Sequence, residues 1–130
     1  MHQQLLSALF AVVFATAAKA QVQSAAPDLP GNYTLLTRQG LPPNPGATTT
    51  LVVVPTAVSG VYTGVAYVDY GSGPAIIPEQ CAVIVGGAGA YSWRNTQNHT
   101  GTISWSGDQW VSIVTSGPAT GLVRRLVPIV

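Results

Sequence analysis

Few side chains in this sequence could carry covalent chemistry. Cys81 is the sole cysteine, and His99 is the only histidine beyond position 2. A thiolate–imidazole pair would need both, but no local signature joins them. A hydrolytic triad needs a nucleophile, a base and an orienting acid, and no serine here sits in a nucleophile-elbow motif. A glycosidase needs two carboxylates facing each other across a sugar. The four acids, Asp28, Asp69, Glu79 and Asp108, fall at strand ends and turns. Capping or solvated roles are the plainer expectation there. Zinc wants three or four ligands, which one Cys and one His do not supply. Gly86-Gly87-Ala88-Gly89 leads into a strand-like run, so it is no phosphate-cradling loop before a helix. The sequence thus predicts a non-enzymatic protein with no catalytic residue, cofactor or metal site.

The aromatic residues offer a better lead. The chain has three Trp and five Tyr. Most are expected in a core, where aromatics dominate the energetics. Their flat faces and polar tips also suit sugar rings and apolar ligands. The candidate ligand-binding residues are Trp93, Trp105, Trp110 and Tyr91. Asn95, Asn98 and His99 are candidates for neutral hydrogen bonds at one rim, although ordinary polar turns would show the same residues. Asn32-Tyr33-Thr34 and Asn98-His99-Thr100 are N-glycosylation acceptors if the host is eukaryotic.

Elements that could position these groups are short and β-prone. Expected strands are 32–38, 48–54, 60–70, 80–85, 90–95, 100–105, 109–115 and 121–127. Pro- and Gly-rich links separate them, and no convincing helix is predicted. Leu41-Pro42-Pro43-Asn44-Pro45-Gly46 reads as a stiff loop. Tyr70-Gly71-Ser72-Gly73-Pro74 and Ser116–Gly121 read as turns. Short links imply antiparallel neighbours. The fold expected is all-β, a small antiparallel up-and-down barrel of about eight strands, with a two-sheet β-sandwich as the alternative.

Two details stay open in the sequence. A two-residue turn at Gly107-Asp108 would set Trp105 opposite Trp110, whereas a three-residue turn would align Trp105 with Gln109. Arg124-Arg125 breaks the alternation of its strand. One arginine must point inward, occupy a bulge or face an edge, and an edge is the plainer expectation. Gly-x-Tyr-(Thr/Ser) occurs at Gly31, Gly60 and Gly89, each read as a strand start.

Residues 1–20 read as a cleavable signal peptide, 21–30 as a flexible lead-in and 31–130 as a single β domain. The apolar run 5–15 is too short to span a bilayer, which takes about 20 residues. Ala18-Lys19-Ala20 supplies the small-x-small cleavage site. The mature chain would start at Gln21. Cleavage removes Lys19, leaving four Arg against four acids and a formal charge of zero. A neutral chain has no electrostatic footprint for nucleic acid or an anionic membrane. The expected location is extracellular, or periplasmic in a Gram-negative host. Cys81, in an apolar run, is expected to be buried. The function expected is a secreted binding module for an uncharged small molecule or glycan. The alternative is a protein–protein module, such as a hydrolase inhibitor or host-interaction factor.

Overall fold

β-Branched and aromatic residues cluster in runs of six to nine between Gly- and Pro-bearing links, and these runs are eight of the nine described strands. The computed structural model describes residues 25–76 and 81–129. The expected signal peptide, the start at Gln21 and Glu79 lie outside the described residues. The strands are β1 (Gly31–Thr37), β2 (Thr48–Pro55), β3 (Val61–Asp69), β4 (Pro74–Ile76), β5 (Ala82–Gly87), β6 (Ala90–Asn95), β7 (Thr100–Trp105), β8 (Trp110–Ser116) and β9 (Val123–Pro128).

All pairings are antiparallel, and the sheet closes on itself. Strand β9 returns to pair with β1 through Thr37↔Arg124 to Tyr33↔Pro128, while β2 pairs with both β1 and β3. The result is a closed eight-stranded up-and-down barrel, with β4 as one extra strand on the end of β3. The barrel, and not the sandwich, is the fold. Strand β4 falls where the sequence suggests only a turn. Pro74 can open it because it occupies the first position of an outlying strand, where no ladder hydrogen is required of it.

Closure also corrects the expectation for the two arginines. Strand β9 lies between β8 and β1, so Arg124 and Arg125 face no edge. Arg124 turns inward, and Arg125 turns outward, its Nε donating to the Thr37 carbonyl at 3.4 Å. The β7–β8 link is the two-residue turn. The Ser106 amide donates to the Gln109 carbonyl at 2.9 Å, and Trp105 stands opposite Trp110.

The interior is filled from alternate positions of each strand. Tyr33, Leu35, Val53, Ile84, Tyr91, Ile103, Trp110 and Leu126 form its buried cluster. An eight-stranded barrel is just wide enough for such side chains to fill. Leu29, from the segment before β1, is completely buried and corks one end. The Tyr33 hydroxyl donates to the Leu29 carbonyl and holds the cork in place. Cys81 stands just before β5, where the wall is ending, and is half-buried rather than enclosed.

Candidate functional site

The barrel has two unlike ends. At the corked end, β1, β3 and β6 each begin with an inward tyrosine: Tyr33, Tyr62 and Tyr91. Gly60 (φ +79°) and Gly89 (φ +86°) reverse the chain just before two of them. The Gly-x-Tyr echo therefore marks three strands that start at one level of the barrel. Tyr91 meets Tyr62 edge-on at 5.7 Å and Trp110 at 5.8 Å, and Trp110 meets Trp105 at 5.2 Å. Each such edge contact adds about 0.5–1.5 kcal/mol to simple area burial.

A cleft of about 420 Å³ opens beside this cluster, between the segment before β1 and the β7–β8 hairpin. Its walls include Trp105, Trp110, Tyr33, Asp28, Asp108 and Gln109. Trp105 is half-buried, and its Nε1 finds no hydrogen-bond partner among the described residues. One oxygen of Asp108 accepts from the Ser106 hydroxyl at 3.0 Å. Asp28 is exposed at the rim. Its charge contributes to holding the Tyr91 hydroxyl above its usual pKa, after burial and the Tyr62 neighbour. Burial likewise raises Tyr33, with the Tyr91 charge a lesser cause.

At the opposite end the links are longer, and a small internal cavity of about 60 Å³ remains. Trp93, Asn95, Ser112 and Arg124 contribute its polar and aromatic lining. Trp93 Nε1 donates to Ser112 Oγ at 3.2 Å. Asn95 braces the β6–β7 link. Its Oδ1 accepts from the amides of Gln97 (3.0 Å) and His99 (2.9 Å).

The candidates named from sequence are thus divided. Trp105 and Trp110 share the corked end, with Tyr91 buried behind them. Trp93 and Asn95 line the cavity at the other end. Asn98 is exposed in the adjoining turn, and the His99 ring packs against Gly117. Asn32 is exposed on the outer face of β1. Sequence reasoning did not single out Asp28, Ser112 or Arg124 as ligand contacts. For Ser112 and Arg124 the signal was their cross-strand alignment, which the antiparallel β8–β9 register brings about.

Other concavities offer less chemistry. Asp69 lines one of them beside Tyr70, but its Oδ1 is committed to the amides of Gly71 and Gly73. Among the described residues, no group of three or more His, Cys, Asp or Glu could hold a metal ion. No family model, curated protein or solved structure matches this chain.

Proposed function

We propose that this protein is a secreted, non-enzymatic binding module for a neutral glycan, taken in the cleft between Asp28 and the β7–β8 hairpin. One observation carries the reading. Trp105, half-buried with its indole N–H enclosed, shares a cleft of about 420 Å³ with two carboxylates and an amide. Sugar recognition uses this set of groups. An indole offers a flat apolar surface to the C–H face of a pyranose, while carboxylate and amide groups bond its hydroxyls. The volume lies within the range of about 300–1,000 Å³ typical of small-ligand sites. The internal cavity is far smaller and does not compete for a sugar ring.

Binding is tested by a neutral-glycan array followed by tryptophan fluorescence with any hit. A shift or quench that saturates is expected. Trp105→Ala should abolish it, and Asp108→Asn should weaken it by about tenfold, the value of roughly one charged hydrogen bond. Silence across the array sinks the reading.

A second reading, a protein–protein module, draws on the outer wall. Val54 on β2 and Val83 and Val85 on β5 are exposed on either side of β3, and Leu41 in the Pro-rich link is exposed too. Co-purification of a discrete extracellular partner, lost in Val83→Asp, would favour that reading.

A further inference from the structure

The outer wall of the barrel is not uniform. On β2, β3 and β5 the outward positions fall into three cross-strand rows: Val54, Thr63 and Val83, then Val52 and Val65, then Val61 and Val85. Six of these seven residues are valine, and none carries a charge. Val54, Val83 and Val85 are 45%, 51% and 48% exposed. Each keeps much of its apolar surface in water, a cost that a second surface laid against it would remove. Across the barrel, by contrast, Arg125 interrupts the outward row of β9.

The margins of this face are polar. Arg94 and Ser92 on β6 stand beside Val83 and Val85, and Asn32 on β1 stands beside Val52. All three margin residues are exposed. An apolar, charge-free centre inside a polar rim is the anatomy of a protein–protein interface, and homodimer interfaces are the more apolar class. The face holds no charge that would select a foreign partner or repel a second copy. Its rows of β-branched side chains suit another sheet face, packed at a spacing of about 10 Å.

We propose that the β2–β3–β5 face pairs with the same face of a second copy of this chain, giving a twofold dimer. A contact of this symmetry sets one patch against itself, so the face meets a partner of its own polarity and extent. Size agrees. A standard interface takes about 800 Å² from each partner, about a tenth of a small protein's surface. Three of the eight barrel strands make up more than that share. The dimer rests on the outer wall being an interface, the second reading above, and fixes its partner. No residue of the face lines the Trp105 cleft, so pairing and glycan binding are separate.

The test is sedimentation equilibrium of the intact protein, made without N-glycans, from about 1 to 300 μM, where a modest interface associates. The mass is expected to rise from one chain to two. Val83→Asp should raise Kd by about tenfold or more, because the twofold brings the buried carboxylate in twice. Val54→Lys probes the same face from β2, in case Val83→Asp does not fold, and should weaken the dimer to a similar degree. Ile113→Lys, at an exposed position on β8 across the barrel, should leave Kd unchanged. A single-chain mass at about 300 μM overturns the dimer. So does a dimer indifferent to both Val83→Asp and Val54→Lys, or one that Ile113→Lys breaks equally. A chain that stays single but captures another extracellular protein through Val83 also overturns the dimer, while the outer wall stands as an interface.

Discussion

Trp93 and Gly101 stand opposite each other across β6 and β7, and the Trp93 indole lies in the space that a side chain at position 101 would occupy. The carbonyl of Ile113 crowds the same point from the next strand, beside the irregularity in the β7–β8 register. Gly101→Ala should therefore destabilise the barrel by about 1–3 kcal/mol, the usual cost of overpacking. Denaturant unfolding followed by tryptophan emission measures it. A neutral substitution would show that the indole has room to move.

Leu29 belongs to no strand, yet it is as deeply buried as any residue described. Leu29→Ala should cost about 2–5 kcal/mol, the range for a large apolar side chain removed from a core. Tyr33→Phe removes the hydroxyl that donates to the Leu29 carbonyl and should cost about 0.5–1.5 kcal/mol. A chain that begins at Gly31 should melt well below the one that keeps residues 25–30. Equal melting temperatures would mean that the segment is not needed to seal the barrel.

Alkaline pH should unfold the protein through the same cluster. Tyr33 and Tyr91 both hold their protons above the usual value of 10.0. The folded state thus keeps protons that the unfolded chain gives up. Stability is intact below the unfolded value, then falls as pH rises from there through the two folded values. Urea midpoints taken from about pH 8 to 12 should show this loss. Tyr91→Phe should flatten it. An alkaline profile unchanged in both Tyr33→Phe and Tyr91→Phe would exclude these groups as its source.

The two sequons differ in their surroundings. Asn98 projects from a tight turn in a left-handed conformation (φ +63°) that asparagine tolerates better than most residues. Asn32 lies on the barrel wall opposite Val52, and its carbonyl accepts from the Ile129 amide. Produced in a eukaryotic secretory host, the protein should run as a glycoform that Asn98→Gln and Asn32→Gln each reduce by one glycan. Identical mobility before and after glycosidase treatment would refute both sites.

Much of the barrel was legible because turn chemistry and alternation agree. Strands β6 and β7 fall at 90–95 and 100–105, bounded by Gly and Asn residues that leave the chain little choice. Strand β5 was placed two residues early, since Gly86 and Gly87 look like turn yet extend the ladder to Tyr91 and Ala90. Strand β4 was invisible: three residues after a Gly-Ser-Gly run carry no period. Site geometry was harder to foresee. Trp93 and Trp105 are both inward, but they sit at opposite ends, and alternation along a strand says nothing about height in a barrel. Arg124 turns inward in the β8–β9 register, opposite Ser112, whereas the closing contact of β9 with β1 is one that no local pattern encodes.

That closing contact also orders events in time. Strand β1 is synthesised first and has β2 beside it early, but its other edge waits for β9. Until then the growing chain carries two raw edges, on β1 and β8. The Arg125–Thr37 bond spans 88 positions, among the longest loops this chain can close. Long-range pairing of this kind slows folding. A ring that shuts only when β9 reaches β1 stays threadable until that pairing forms, so β9 acts as the latch for the barrel.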